Sequence, residues 1–321
     1  MFRSPRSSAD LGIADLLADR AMTARQIAAT VGSDPDSTHR LLRAAVSYGL
    51  CTMHRRTGAV KLARTGTVLS GDHTASVREW TRYMALRSTA EAWSGLTASI
   101  RTGQSAFAAV HAMSVWKWFG AHRDEERLFA SAMRQATQIN ASTIALAYPW
   151  PDRGVVCDVA GGIGTLLTTI VASSAVNLRG VLVDAPAVID EAEGFLAESG
   201  LADRIDRVAG DIFGNIDATA DVYLLKDVLH DWDDERCDKI LATVVASMPR
   251  GSRLVLVEIV QHPNSPNPLA PWADLQMLTQ TDGGRQRSVG ELSALLAGAG
   301  LRLTGRVFSA MPHTMVEAQQ P

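Results

Sequence analysis

The sequence predicts an α/β fold with a mostly parallel, seven-stranded sheet, preceded by a mainly helical region that starts with a winged-helix pattern. Three observations support this prediction. From residue 151 onward, apolar strand-like runs alternate with helical patterns. Residues 10–50 carry apolar positions at helical spacing on both sides of a turn. Between these regions, Pro149 and Pro151 interrupt a long helical segment.

The N-terminal region contains a helix-turn-helix pattern followed by a β-wing. The stretch TARQIAATVGSDPDSTHRLLRAAVSYGL has two amphipathic segments joined by a Gly-Ser-Asp-Pro turn. Two short extended runs in LCTMHRRTGAVKLARTG then flank Thr57 and Gly58. This combination is typical of a winged helix.

A winged helix can bind DNA or form an interface between two copies of a chain. Binding to DNA would use His39, Arg40 and Arg43, but residues 1–80 hold 11 basic and 7 acidic residues, a net charge of only +4. We therefore expect a dimerisation region. Its apolar helix face has too little chain around it to be buried otherwise, and it includes Leu11, Ile13, Leu16 and Leu17.

Residues 75–147 are predicted to be helical and are rich in aromatic and methionine side chains. At helical spacing most of these would be core residues, but Trp116, Trp118 and Phe119 cannot all face inward on one helix. One or two of them would line an apolar pocket. The predicted domains are a winged-helix-like dimerisation region over 1–80, a helical connector that contributes to the pocket over 81–150, and a ligand-binding α/β domain over 151–321.

Seven apolar, β-rich runs occur in the third domain. They are GVVCDVA, RGVLVDA, IDRVAGD, DVYLLKD, RLVLVEIV, RLTGRVFS and HTMVEAQ. The helical patterns between them predict a parallel sheet with helices on both faces. The segment HPNSPNPLAPW, residues 262–272, holds four prolines and is predicted to be a loop at the C-terminal end of a strand. Ligands bind at that edge in open α/β sheets.

A turn of small residues joins the first of these strands to a helix. In VVCDVAGGIGTLL, glycines would let a ligand approach the backbone at a helix N-terminus. The turn does not match the dinucleotide pattern G-x-G-x-x-G, because after Gly162 and Gly164 the third glycine would fall on Leu167. Asp184 ends the next strand and could accept hydrogen bonds from both ribose hydroxyls. These features fit a nicotinamide cofactor and S-adenosylmethionine equally well.

The residues that follow the third and fourth strands favour S-adenosylmethionine over a nicotinamide cofactor. Asp211 follows the third strand, where its carboxylate could bind an adenine amino group, and LLKDVLHDW ends the fourth. Acidic or glycine-rich groups thus follow four consecutive strands at one sheet edge: Asp158, Gly162, Gly164, Asp184, Asp211 and, on the fourth strand, His230. This order resembles the Rossmann-like domain of class I S-adenosylmethionine-dependent methyltransferases.

The resemblance extends from about Leu11 to Gln319. The chain resembles the winged-helix small-molecule O-methyltransferases, which include plant caffeate-type enzymes and bacterial polyketide-tailoring enzymes such as carminomycin 4-O-methyltransferase. The matching segments are the helix-turn-helix, DVAGGIG, VLVDAP, GDIF, LLKDVLHDWDDE, LVLVEIV and DLQMLTQTDGGRQRS. The resemblance implies a cytoplasmic homodimer of antibiotic biosynthesis. It would transfer a methyl group from S-adenosylmethionine to a hydroxyl of a small aromatic metabolite, leaving S-adenosylhomocysteine.

The resemblance also implies a role for individual residues. His230 matches the general base, Glu258 the carboxylate that orients it, and Gln286 a further position beside the histidine. The cofactor site would comprise Thr137, Asp158, Gly162, Gly164, Asp184, Asp211, Ile212, Phe213 and Lys226. The substrate site would comprise Phe129, Met133, Asp231 and Met277. No metal ligand is implied.

Two positions depart from the family pattern. The first glycine of the turn is Ala160 here, a change that we expect to be tolerated if φ stays negative at that position. Plant enzymes carry GGKERT where this chain has GGRQRS, so that Gln286 replaces a glutamate. An amide can orient an imidazole but cannot stabilise imidazolium as an anion does. The second departure therefore bears on the strength of the base and not on the fold.

A histidine suits this reaction because a phenol, with a pKa of about 10, is mostly protonated at neutral pH. An imidazole with an ordinary pKa of about 6.5 can take that proton as the new bond forms, which is typically worth about 10²–10⁴ in rate. The carboxylates that follow His230 are expected to cap a helix and match its dipole. They are Asp231, Asp233 and Asp234.

The composition reduces the number of functional classes that fit the sequence. The net charge of −3 does not indicate nucleic acid or anionic lipid as a partner, and no apolar run is long enough for a membrane span. The N-terminus lacks a signal-peptide core, and three widely separated cysteines fit a reduced cytosol. One alternative keeps the fold: a cofactor-dependent hydroxylase or decarboxylase of the aclacinomycin 10-hydroxylase type. That resemblance implies an apolar residue at the histidine position, so His230 favours methylation.

Overall fold

The structure, a computed structural model, describes residues 3–174, 177–262 and 267–321. Within the predicted proline-rich loop, residues 263–266 lie outside the described residues. Across the described residues the chain forms two compact units. One comprises Met1–Ala90 and Phe119–Ile139, and the other comprises Glu91–Trp118 and Asn140–Pro321.

The first unit contains the predicted helix-turn-helix and wing, and both are confirmed. Its first elements are α1 (Arg3–Asp10), α2 (Ile13–Leu16), α3 (Ala24–Val31), α4 (Pro35–Ser47), β1 (Cys51–Met53) and β2 (Val60–Leu62). Gly32 ends α3 at a φ of 68°, and Asp34 caps α4 by accepting a hydrogen bond from the backbone of Ser37 at 2.8 Å. Strands β1 and β2 pair antiparallel to form the wing.

The core of this unit lies between α2, α3, α4 and the wing. Ile13 and Leu17 are each only 2 % exposed in it, while Leu11 and Leu16 are half-buried against it. The expectation that only a dimer interface could bury this helix face is therefore wrong for Ile13 and Leu17. The reason is that α3, α4 and β2 already cover them.

The predicted helical region is confirmed. It comprises α5 (Arg78–Met84), α6 (Arg87–Ser94), α7 (Leu96–Thr102), α8 (Ala106–His111), α9 (Val115–Ala121) and α10 (Arg123–Ala147). Helix α10 ends just before Pro149, as predicted. Tyr83 and Phe119 are buried, Trp118 packs edge-on against Phe107 at 5.9 Å, and Trp80 is 38 % exposed. No helix of the described residues is long and apolar enough to cross a membrane.

The second unit is built on the predicted sheet. Its strands are β3 (Arg153–Val159), β4 (Asn177–Asp184), β5 (Ile205–Ala209), β6 (Val222–Lys226), β7 (Arg253–Glu258), β8 (Arg302–Ala310) and β9 (His313–Gln319). Over the described residues the sheet has seven strands in the order β5-β4-β3-β6-β7-β9-β8. Strands β3 to β7 pair in parallel, whereas β9 is antiparallel to both β7 and β8. The mostly parallel sheet is confirmed.

Both faces of the sheet are covered by helices, as predicted. These helices are α11 (Thr165–Ser173), α12 (Pro186–Ser199), α13 (Asp234–Ser247) and α15 (Val289–Gly298). Helix α14 (Leu269–Gln280) packs on α7 and α8. Side chains alternate along each central strand: Tyr223 and Leu225 of β6 join a core with α13 and α15, whereas Val222 and Leu224 join a core with α11 and α12. The sheet order reverses at β3, so the C-terminal ends of β3, β4 and β6 form a crevice suited to a ligand.

Candidate active site

In the turn from β3 to α11, a side chain would clash at Gly161, whereas the space beside the backbone of Gly162 is open. A Cβ at Gly161 would lie 2.6 Å from the carboxyl carbon of Asp158, and Gly162 and Gly164 have φ values of 61° and 90°. Ala160 also has a positive φ, 56°, so the condition under which alanine was expected to be tolerated, a negative φ, is not met. The turn forces a left-handed residue there, which costs an L-residue roughly 1–2 kcal/mol.

Two carboxylates lie beside this turn. Asp184 accepts hydrogen bonds from the backbone of Gly162 at 2.8 Å and of Ala185 at 2.7 Å, and burial raises its pKa. Asp158 is 2 % exposed, and its Oδ2 has no hydrogen-bond partner. Burial raises the pKa of Asp158 to about 7, although Lys226 opposes this. A buried acceptor without a partner, near the open backbone of Gly162, fits a ligand with amino and hydroxyl donors such as S-adenosylmethionine.

The other predicted cofactor residues of this unit also follow strands of the sheet. Asp211 comes after β5 and accepts a hydrogen bond from the backbone of Phe213 at 2.9 Å, and Ile212 between them is half-buried. Lys226 ends β6 and forms an ion pair with the adjacent Asp227. Because β4, β3 and β6 are neighbours, the sheet brings Asp184, the glycine turn and Lys226 to one edge.

Three predicted residues belong to the other unit. Phe129, Met133 and Thr137 all lie on α10, within Phe119–Ile139. Phe129 packs there against Tyr83 and Phe119, with ring centroids 5.3 and 4.8 Å apart. Their roles toward substrate and cofactor remain predictions.

His230 lies in a short 3₁₀ turn, Leu229–Asp231, between β6 and α13. Its Nδ1 is 2.7 Å from Oε2 of Glu258, which ends β7 and is 3 % exposed. The other carboxylate oxygen, Oε1, accepts hydrogen bonds from the backbone of Leu229 at 2.9 Å and of Val228 at 3.2 Å. Glu258 therefore holds both the ring and the turn that carries it. With Nδ1 donating to Glu258, Nε2 is left as the basic nitrogen.

The charges around His230 change its acidity. Burial disfavours the charged ring, but the carboxylates of Glu258, Asp231 and Asp227 outweigh burial and raise the pKa of His230 to about 10. Nε2 lies 3.6 Å from Oδ1 of Asp231, whose pKa burial raises to about 6. The ordinary histidine pKa of about 6.5 used in the sequence interpretation is therefore wrong for this ring.

Asp227 and His313 are part of this cluster, and the sequence interpretation missed them. Nε2 of the buried His313 is 3.1 Å from both carboxylate oxygens of Asp227. Although burial opposes it, His313 and Lys226 hold the pKa of Asp227 well below its usual range. Ligand atoms of Asp227, His230 and Glu258 lie within 4.8 Å of one another, a spacing that a metal could use, but the hydrogen bonds and ion pairs above already engage them. No local pattern in the sequence connects His313, on β9, with the end of β6.

The remaining predicted residues lie on α14 and the loop that follows it. Gln286 is 5 % exposed and donates its backbone N–H to Asp274 at 2.8 Å. Among the described residues no hydrogen bond joins Gln286 to His230, and its Oε1 has no partner. The carboxylate that lies beside Nε2 of His230 is instead Asp231. Met277 is half-buried on α14.

The segment after His230 forms a helix start with aromatic neighbours. Asp233 caps α13 by accepting from the backbone of Arg236 at 2.8 Å, which confirms the predicted helix N-terminus. Trp232 stacks on Trp116 with ring centroids 5.5 Å apart and meets the edge of Phe213 at 4.9 Å. Trp116 of α9 thus lies beside the segment that follows His230.

Comparisons with known proteins agree with this geometry. A family model of the O-methyltransferase domain matches residues 93–302, and one of the O-methyltransferase dimerisation domain matches residues 6–68. Phenazine O-methyltransferase PhzM of Lysobacter antibioticus is 32 % identical over 317 residues, 97 % of this chain and 90 % of that protein. Aclacinomycin 10-hydroxylase RdmB of Streptomyces purpurascens is 32 % identical over 93 % of this chain and 80 % of its own length.

A solved structure carries both a cofactor and an aromatic compound. The O-methyltransferase NcsB1 from neocarzinostatin biosynthesis, in complex with S-adenosylmethionine and 2-hydroxy-5-methyl naphthoic acid, is 31 % identical. The match covers 100 % of this chain and 96 % of that chain, with a TM-score of 0.83. The fold, the glycine turn and the family models lead to one assignment: the chain belongs to the S-adenosylmethionine-dependent O-methyltransferase family.

Proposed function

We propose that this protein methylates a hydroxyl of a small aromatic metabolite, with His230 as the general base. The observation that carries the proposal is the 2.7 Å contact between Nδ1 of His230 and Glu258. Because Glu258 also binds the backbone of the turn, the ring is held in one orientation with Nε2 as the basic nitrogen. Such a nitrogen can take the proton of an acceptor hydroxyl.

The raised pKa of His230 suits a phenolic acceptor. A phenol has a pKa of about 10, and the carboxylates around His230 raise its pKa to a similar value after overcoming burial. Proton transfer from the hydroxyl to Nε2 is then close to balanced. At neutral pH, however, most of the free enzyme already carries the proton. The neutral, reactive fraction grows with pH, so kcat/KM should rise from neutral pH toward pH 10.

The cofactor supplies an activated methyl group, so the main task of the protein is to align the methyl donor with the acceptor. Such alignment can lower the activation barrier by roughly 7–11 kcal/mol. Asp184, at the end of β4, is placed to accept hydrogen bonds from ribose hydroxyls, and Asp158 offers a buried acceptor. The open space beside the backbone of Gly162 leaves room for a ligand. Thr137, Asp211 and Lys226 complete the proposed cofactor site, and Phe129, Met133, Asp231 and Met277 the proposed substrate site.

We also propose a homodimer that assembles through the N-terminal region in the cytoplasm. The match to a dimerisation domain over residues 6–68 supports the homodimer. The free cysteines are all buried, as suits a reducing compartment. In this arrangement residues 1–80 dimerise, 81–150 contribute to the substrate pocket, and 151–321 bind the cofactor. Size-exclusion chromatography with light scattering tests the assembly, and a monomer that is fully active at nanomolar concentration would contradict it.

Mass spectrometry tests the reaction. The protein is incubated with S-adenosylmethionine and a panel of hydroxynaphthoates, hydroxyphenazines and aminohydroxybenzoates. Methyl transfer adds one CH₂ to the product mass, whereas the hydroxylase reaction suggested by the similarity to aclacinomycin 10-hydroxylase would add one oxygen. His230→Ala should lower kcat by about 10²–10⁴ while affinity for S-adenosylhomocysteine changes little. Near wild-type turnover by His230→Ala on a protonated phenol would overturn the assignment of the base.

A further inference from the structure

The loop that follows α14 packs directly on the turn that carries His230. A Cβ at Gly284 would lie 2.5 Å from the carbonyl oxygen of His230 and 2.8 Å from the carbonyl carbon of Asp231, so only glycine fits there without a shift. Three residues further along this loop, Arg287 is 2 % exposed. A buried arginine needs partners for its donors, because an unpaired buried charge is costly.

Arg287 uses its donors on the two carbonyls that flank His230 and Asp231. Its Nη1 donates to the carbonyl of Leu229 at 2.7 Å, and its Nη2 donates to the carbonyl of Trp232 at 2.8 Å. Nε and Nη2 also donate to Oδ1 of Asp234, at 3.0 and 2.7 Å. One planar guanidinium thus joins both ends of the His230 turn to the first turn of α13.

The two contacts on Leu229 are complementary. Glu258 accepts from its N–H at 2.9 Å, and Arg287 donates to its carbonyl at 2.7 Å. Glu258 and Arg287 therefore hold the peptide units before and after Leu229, and Sγ of Cys237 also contacts the Leu229 carbonyl at 3.3 Å. These contacts restrict the direction of the next side chain, His230. Lysine could not replace this contact, since a single ammonium cannot span both carbonyls and Asp234 in the way that a guanidinium does.

We propose that Arg287 is a positioning residue for His230: it clamps the carbonyls of Leu229 and Trp232 so that the imidazole keeps its 2.7 Å contact with Glu258. The link to catalysis rests on the proposed function, in which His230 is the base. The effect of these carbonyl contacts on the position of the His230 ring can be measured without an acceptor substrate.

The chain offers a matched control at Arg285. This arginine also pairs with Asp234, at 2.9 Å, but its side chain is 47 % exposed, and among the described residues no hydrogen bond joins it to either carbonyl. Arg287→Lys and Arg285→Lys each replace one arginine on the same carboxylate. Only the first removes the clamp, so any difference between the two variants reports on the carbonyl contacts.

The test is an NMR titration of the His230 ring in the full-length protein with S-adenosylhomocysteine present, its signal assigned by its loss in His230→Ala. In Arg287→Lys the ring should move away from Glu258, and its pKa should fall by about one unit or more. Arg285→Lys should leave it unchanged. An unchanged titration in a folded Arg287→Lys, or an equal shift in both variants, would overturn the proposal. If Arg287→Lys does not fold, Asp234→Glu keeps the negative charge but displaces the same guanidinium and should give a smaller downward shift; no shift would then count against the clamp.

Activity measurements distinguish a failure of this proposal from a failure of the proposed function. With an acceptor found in the mass-spectrometric panel, Arg287→Lys should lower kcat by about 10–100-fold, the loss expected for a displaced catalytic group, while affinity for S-adenosylhomocysteine stays within about threefold. In a His230→Ala background the same substitution should cost nothing more. A further loss in that background would mean that Arg287 acts on something other than His230. If instead His230→Ala alone is harmless, the base assignment fails, and the titration still decides the clamp.

Discussion

Replacing Asp231 by asparagine should move the pH dependence of catalysis to lower pH. Oδ1 of Asp231 lies 3.6 Å from Nε2 of His230. Burial lowers the pKa of His230, but this carboxylate, together with Glu258 and Asp227, raises it to about 10. Burial raises the pKa of Asp231 itself to about 6, so the carboxylate is mostly ionised at neutral pH and above.

The size of the effect follows from the distance. Two unit charges 3.6 Å apart interact with about 1 kcal/mol in bulk water and about 5 kcal/mol at an effective dielectric constant of 20. Since one pKa unit corresponds to about 1.4 kcal/mol, removing the charge should lower the pKa of His230 by about 1–3 units. Asparagine has nearly the shape of aspartate, so the turn should be retained.

The assay is kcat/KM measured against pH, which reports the protonation of the free enzyme. Activity of the wild type should rise as His230 loses its proton, and the acidic limb of Asp231→Asn should lie about 1–3 units lower by the same Coulomb argument. An NMR titration of the ring gives the shift independently of any effect on substrate binding. Asp238→Asn, at an exposed position on α13, is the control. A pKa of His230 that stays the same or rises in Asp231→Asn would refute the electrostatic reasoning.

Three further predictions follow from the site. Glu258→Gln should lower kcat by about 10²–10⁴. Both carboxylate oxygens of Glu258 accept hydrogen bonds, so an amide nitrogen facing either the ring or the turn would oppose another donor. A kcat near that of the wild type would contradict this. Ala160→Gly should raise the free energy of unfolding by about 1 kcal/mol, measured in urea, because φ is 56° there; a loss of stability would count against a left-handed residue. Burial raises the pKa of Asp158 to about 7 in the folded state from an ordinary 3.8, so the contribution of this group to the stability of the wild type should fall as pH rises from 4 to 7. Asp158→Asn lacks this titrating group, so its melting temperature should exceed that of the cofactor-free wild type at pH 8 but not at pH 4. Equal melting temperatures at pH 8 would contradict this prediction.

Much of the fold is present in local sequence patterns. Alternating β-rich and helical runs predicted all seven strands of the sheet in the described residues, and the Gly-Ser-Asp-Pro turn predicted the start of α4. Burial on both faces makes parallel strands almost continuously apolar, so each run is visible without knowledge of its neighbours. The glycines of the cofactor turn are visible for a similar reason, since a tight turn restricts which residue types can occupy it.

Part of the candidate site was also predictable, because functional groups at the ends of parallel strands must meet at one edge. That rule placed Asp158, Asp184 and His230 together before any distance was known, and the sheet order agrees with it. The family resemblance added Glu258 as the partner of His230, and the structure brings the two to 2.7 Å.

By itself, then, the sequence determined the strands, the helix-turn-helix, the glycine turn and the set of groups at the sheet edge, since each depends on a few neighbouring residues. Only the tertiary structure decided the left-handed φ of Ala160, the pKa of His230, the contact of His313 with Asp227 and the clamp by Arg287. Asp227 and His313 are 86 positions apart, and Arg287 is 58 positions from Leu229. The physical reason is that electrostatic energy depends on distances of a few ångströms in a buried environment, and no local pattern of residue types specifies those distances.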